Sequence, residues 1–526
     1  MAPREANLKY GESRFRMTSG SKLTAFLLTA LGTCLPLSAS AQEEDSLGSE
    51  VLDPSLSLDP SAPQVGALPG GTTPSFGIPP ADETDWRFDF HGIVVAPLRM
   101  GLNSRDNPTP DQSDTVLHAP PVVPDDLETF SHTGTIPKPY VQLNFSYGNS
   151  IVTGTVSILA RQQNVATGFF DPPSQLGVND VFLSIKPELL PNLGLQIHVG
   201  AFSNRYGSMG EYDEGRYGQP IIGRTNGVGE HVAATIGFGD FTLLLEQGIQ
   251  GQSNKAPAGL TPEGWNDFAD QNVGTSFVNH VHAGVNYRRF ATLGAHYMMA
   301  WSQDDRATGT LGPDGSIRVL GADLRLNLSR FGHLYVGVAR TEADHARTVG
   351  RILEVLNTRG GAGLMEHYIG ENSNGNGELV TVGAQYDLSI GKLVSYPVPF
   401  SGDGPDLFVS LFGMQTSVTS EDPAQHGKLK RKLGFEGTYS FLSWLAASLR
   451  YDRVDPNVDD QRESFAVVSP RLIFRTDWQA TDQVVLQYSR WLYGSTTRVR
   501  TGYPPREDVT ATPDADTLTL TASMWW

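Results

Sequence analysis

From about Asp85 to the C-terminus, apolar and polar side chains alternate in segments of roughly ten residues, the period of a strand with one face in lipid and the other in water. Leu320, Ala322, Leu324, Leu326 and Leu328 fall on one face, and Gly321, Asp323, Arg325 and Asn327 on the other. Val380, Val382, Ala384, Tyr386, Leu388 and Ile390 repeat the arrangement against Thr381, Gly383, Gln385 and Asp387. The chain closes on the same pattern, with Leu518, Leu520, Ala522, Met524 and Trp526 set against Thr517, Thr519, Thr521 and Ser523.

A soluble sandwich also alternates, so the connections decide the class. Tight ones, near Gly148–Ser150, Pro187–Asn192, Phe238–Asp240, Arg288–Ala291, Ser329–Gly332, Phe441–Ser443 and Gln479–Thr481, take turns with long polar ones. The long ones fill Asn103–Thr135, Ser203–Gly229, Gly251–Ser276, Glu342–Gly375 and Thr497–Thr512. Short turns on one side and long loops on the other characterise a transmembrane antiparallel β-barrel, with the long loops extracellular. The count is about eighteen strands, running from Trp86 to Trp526; the long Gly391–Pro405 connection leaves about sixteen as the alternative. Trp86, Tyr140, Tyr147, Tyr287, Tyr297, Tyr439, Trp478 and Tyr488 lie near predicted strand ends, as interfacial girdles require.

The N-terminus adds the route. Lys22 precedes an apolar run from Leu23 to Leu37 that leads to Ala39-Ser40-Ala41, which reads as a secretory signal over residues 1–41, with Met17 as a possible true start. The single cysteine, Cys34, lies inside that signal; its Leu31-Gly32-Thr33-Cys34 context fits a lipidation box less well than the Ala-Ser-Ala site fits cleavage. Residues 42–84 are acidic, rich in Pro, Ser and Gly, and free of basic residues, which predicts a disordered periplasmic leader ahead of a barrel over 85–526. Without residues 1–41 the chain keeps 34 basic and 55 acidic residues, a formal charge of −21 that disfavours nucleic acid as a partner.

Three short segments carry a family resemblance. Thr517–Trp526 resembles the C-terminal assembly signal of outer-membrane proteins, which implies recognition by the barrel-assembly machinery through Leu518, Leu520, Met524 and Trp526. Asp89-Phe90-His91-Gly92 resembles the opening strand of maltoporin-like porins, which favours the eighteen-strand count. Asn204–Gly218, in the third long loop, is similar to the inward-folded constriction loop of porins. That resemblance implies an eyelet in which Arg205, Arg216 and Arg224 oppose Glu211, Asp213 and Glu214, with Tyr206 packing against the wall. The other reading of this loop is a solvated external one. Arg325, Lys430, Lys432, Arg450, Arg471 and Arg475 fall on the predicted lumen face.

Phosphate-binding loops, dinucleotide fingerprints and nucleophile elbows are missing from plausible settings, so an enzyme is not expected and no cofactor is implied. His280 and His282 share a strand face, with His296 on the next strand; they are expected as polar lumen residues rather than metal ligands. The leading expectation is a porin, a passive channel for small hydrophilic solutes set in lipid and lipopolysaccharide. Porins of this size resemble homotrimers. The alternatives are a channel selective for sugar, phosphate or polysaccharide, and a non-conducting surface-binding or structural barrel with Glu342–Gly375 as an adhesive loop.

Overall fold

The computed structural model describes residues 86–102, 140–162, 174–187, 190, 192–205, 224–253, 275–288, 290–303, 314–350, 352–356, 358–394, 406–442, 444–460, 464–475, 483–493 and 515–525. The expected leader and signal lie outside them. The first strands are β1 (Arg87–Gly101), β2 (Tyr140–Gly148), β3 (Val152–Gln162), β4 (Ser174–Ile185), β5 (Leu193–Arg205), β6 (Arg224–Phe238) and β7 (Phe241–Ser253). Next come β8 (Thr275–Tyr287), β9 (Ala291–Gln303), β10 (Ser316–Asn327), β11 (His333–Asp344), the short β12 (Leu353–Val355) and β13 (Thr358–Arg359), and β14 (Gly377–Ser389). The chain finishes with β15 (Asp406–Ser420), β16 (Leu429–Leu442), β17 (Leu445–Asp455), β18 (Phe465–Arg475), β19 (Gln483–Tyr493) and β20 (Ala515–Trp525).

Every wall strand pairs antiparallel with its neighbours in sequence, except that β11 passes over β12 and β13 to meet β14. The ladder closes on itself, because β1 pairs with β2 through Phe90 and Phe145 and with β20 through Leu98 and Leu520. Leaving out β12 and β13, the wall therefore holds eighteen of the twenty strands, and the sixteen-strand alternative falls away. The ladder itself carries this count, not the Asp89–Gly92 resemblance. Closure leaves no unpaired edge, the condition for backbone to cross a bilayer as strands. The extra length after β14 begins as a helical turn, Ile390–Val394, capped where Asp406 Oδ1 accepts the Gly391 amide at 2.7 Å.

Alternation places the two faces as the sequence predicts. Leu320 is 59% exposed on the outside and Asp323 is 3% exposed on the inside. Val281, Tyr297, Val338, Val380, Leu411 and Leu433 continue the outward apolar surface. At the short-turn end, aromatic rings pair along the outer rim: Trp86 with Tyr147 (5.2 Å between ring centres), Phe241 with Tyr287 (4.9 Å) and Tyr439 with Phe441 (4.8 Å). Such rings sit well at headgroup level, apolar on the body and polar at the tip. At that same rim Arg288 donates to Asp240 (2.8 Å), which holds this exposed carboxyl below its ordinary pKa.

Candidate pore constriction

One loop departs from the outward course expected of it. The sequence predicts Glu342–Gly375 as a long external loop; instead the ladder continues to Asp344, and much of the segment beyond it folds into the barrel. Val349, Ile352, Leu353, Val355, Leu356, Leu364, Tyr368 and Ile369 are buried in one cluster with inward-facing Val278, Met298, Ile317, Val319, Leu379, Phe412, Met414 and Val418 of the wall. The reason is physical: an Ile-Leu-x-Val-Leu run exposed to water would forfeit about 2 kcal/mol per large apolar side chain. The inner wall offers it matching apolar surface near the long-loop end. This signal is present in the sequence and is obscured by the polar and glycine residues around it.

Polar bonds fix the loop to both sides of the lumen. Leu353 and Glu354 pair with Thr225 and Arg224 of β6, and the two charged side chains form an ion pair. The Gly350 amide donates to Ser276 Oγ of β8 (2.9 Å), and Thr348 shares a hydroxyl bond with Ser302 of β9 (2.8 Å). Across from these, Ser420 of β15 donates to the Ile369 carbonyl, and Lys430 of β16 lies over the Tyr368 ring, 5.3 Å from its centre. Complete burial pushes the Tyr368 hydroxyl well above the usual phenol pKa, so it stays neutral. From β6 to β16 is eight steps around an eighteen-strand wall, close to a diameter. The loop thus spans the bore.

Most of the residues expected in an eyelet, Tyr206, Glu211, Asp213, Glu214 and Arg216, lie outside the described residues. The Arg205 backbone pairs with Arg224 at the end of β5, and one partner of the Arg224 side chain is Glu354, from the loop between β11 and β14. Glu354, Leu353 and Tyr368 are the site residues that sequence reasoning misses.

Below this level the inner wall is charged. Arg450 is fully buried between Asp452 (2.5 Å) and Glu436 (3.8 Å), and Arg471 meets Glu436 and donates to Ser448 at 3.0 Å. Lys432 lies 5.6 Å from the centre of the Phe412 ring, and the half-buried Arg325 lies 5.7 Å from that of Tyr335. The Arg475 side chain lies outside the described residues, as does Trp526; Leu520 and Met524 are exposed on the outer face, and Leu518 is half-buried.

The opposite wall carries a belt of imidazoles. His198 on β5 and His231 on β6 are register partners with ring centres 5.7 Å apart, and His231 stands 5.7 Å from His280 on β8. Between the last two, β7 supplies Gly248, where a Cβ would come within 2.6 Å of the His280 ring. On the next tier Glu246 is shared by His231 (3.5 Å) and His282, and His282 is the register partner of His296. Gly321 leaves the space that the His296 ring fills. Gln196 lies 2.6 Å from His198 Nε2. Among the described residues, no three His, Cys, Asp or Glu side chains are disposed to hold one metal ion.

No known family model matches this sequence, and no curated protein matches it. Solved structures with a similar course include in-vitro folded OmpT, an outer membrane protein of Vibrio cholerae, at 10% identity and a TM-score of 0.37, with 85% of this chain and 100% of that chain covered. The outer membrane channel DcaP of Acinetobacter baumannii is similar at 11% identity and a TM-score of 0.38, covering 84% of this chain and 97% of that one. An anion-selective porin from Comamonas acidovorans is similar at 7% identity and a TM-score of 0.39, covering 84% and 100%. The barrel assignment stands on this chain's own closed ladder.

Proposed function

We propose that this chain is an outer-membrane channel for passive diffusion of small hydrophilic solutes, with a bore narrowed by the loop between β11 and β14. The observation that carries the reading is the closed eighteen-strand wall, apolar outside and charged inside. A lipid-facing band with a polar interior is the construction of a barrel that admits water. The export signal over residues 1–41 supports the location. Lipid and lipopolysaccharide surround the wall, and three copies assemble as in porins of this size. In this reading the third loop, with Tyr206, Glu211, Asp213, Glu214 and Arg216, joins the constriction beside Arg205 and Arg224.

A substrate-selective channel is the second reading, favoured by Lys430, Lys432, Arg450 and Arg471 gathered on one stretch of inner wall. Fixed charges in a narrow bore select solutes by field as well as size. Purified protein in planar bilayers separates the readings. Stepwise conductance without saturation supports diffusion, and saturable block by one solute class supports selectivity. A barrel that inserts yet never conducts overturns both and leaves a surface-binding or structural role.

A further inference from the structure

We propose that the imidazole belt on β5, β6, β8 and β9 is a series of weak binding sites for first-row transition-metal dications of the zinc, nickel and copper class. The binding stands on the belt alone; the use of the belt in permeation rests on the channel reading above. Nitrogen–metal bonds of about 2.0–2.1 Å place the ring centres of two imidazoles sharing one ion roughly 5–6 Å apart. His198–His231 and His231–His280 both stand at 5.7 Å. Glu246 adds a carboxylate between His231 and His282.

The lack of a three-donor set among the described residues sharpens this assignment. A site with three or four converging protein ligands would retain the ion, whereas neighbouring two-donor sites completed by water release it to the next pair. A permeant ion needs sites that are several and weak. Imidazole also discriminates by chemistry, since Mg2+ and Ca2+ prefer oxygen donors.

A second observation points to a ligand. His296 is 2% exposed, and among the described residues neither of its ring nitrogens meets a hydrogen-bond partner. Leaving buried polar atoms unmatched is unfavourable. His282, its half-buried cross-strand partner, reaches the lumen from the same tier, as does half-buried His198 on the first. The glycine gaps at Gly248 and Gly321 keep the rings against the wall without filling the bore.

The test uses tag-free full barrel in detergent, titrated calorimetrically with Zn2+ and separately with Mg2+, alongside bilayer currents. Zn2+ is expected to bind, and to reduce current reversibly, where Mg2+ does neither. The His231→Ala/His280→Ala double variant should weaken Zn2+ binding by about tenfold or more, no less than the loss of a supporting group. His345→Ala/His426→Ala, in the long loops, should leave it unchanged. Should the double variant fail to fold, judged by heat-modifiable mobility, His231→Gln, which alone breaks both imidazole pairs, serves in its place with the same expectation. Absence of Zn2+ binding, or binding indifferent to the belt variants, overturns the site. Zn2+ binding by a barrel that carries no current overturns only the permeation role, and with it the channel reading.

Discussion

Arg224, at the start of β6, and Glu354, deep in the loop between β11 and β14, form an ion pair across 130 residues of sequence, and both side chains are largely buried. The pair joins the start of β6 to the loop between β11 and β14, so a charge that sequence alone assigns to one eyelet has a partner in another loop.

Glu354→Gln removes one member and takes this carboxylate from the Arg224 guanidinium. Breaking a buried pair in this way costs about 3–5 kcal/mol, so the loop should loosen and the open-channel current should rise and become noisier. Single-channel recording reads this directly. Arg224→Met/Glu354→Met should restore quieter currents, because neither charge of the pair remains; equal noise in the single and double variants would show that the pair does not hold the loop.

Arg471→Gln tests the charged lower wall. Glu436 would lose the Arg471 contact and keep Arg450 at 3.8 Å. The inner field should shift towards negative and the reversal potential in a salt gradient should move towards cation preference. A reversal potential unchanged from wild type would place Arg471 away from the ion path.

Deletion of Trp526 tests the proposed assembly signal. The last strand pairs with both β19 and β1, so misreading of its end leaves the seam unclosed. The variant should yield less heat-modifiable barrel in the membrane fraction, with pore properties of the assembled remainder unchanged. Normal yield would remove Trp526 from that role.

The wall is legible in the sequence because burial on one face only imposes a period of two, and a one-residue slip would expose every apolar group to the wrong solvent. Leu320 against Asp323 displays that logic, and the alternation of tight and long connections yields the count. The inward loop is not legible by the same means. Ile352, Leu353, Val355 and Leu356 have no repeat to mark them, and their partners Val278, Val319, Leu379 and Met414 sit on the lumen face, where polar residues are the expectation. Nor does sequence spacing reveal that Glu354 meets Arg224, since that depends on how far the chain crosses the bore. The imidazoles fall between these cases: His280, His282 and His296 are visible as neighbours, whereas His198 and His231 join them only once strand register is known.

The loop's described anchors lie on β6, β8, β9, β15 and β16, and its apolar partners extend as far as β18, so none of those contacts uses the junction of β1 with β20. An open, curved sheet already contains these partners for the loop. Biogenesis therefore has no threading problem: the loop can be seated while the wall is still a trough, and the final zippering of first strand to last encloses a bore whose shape has already been set.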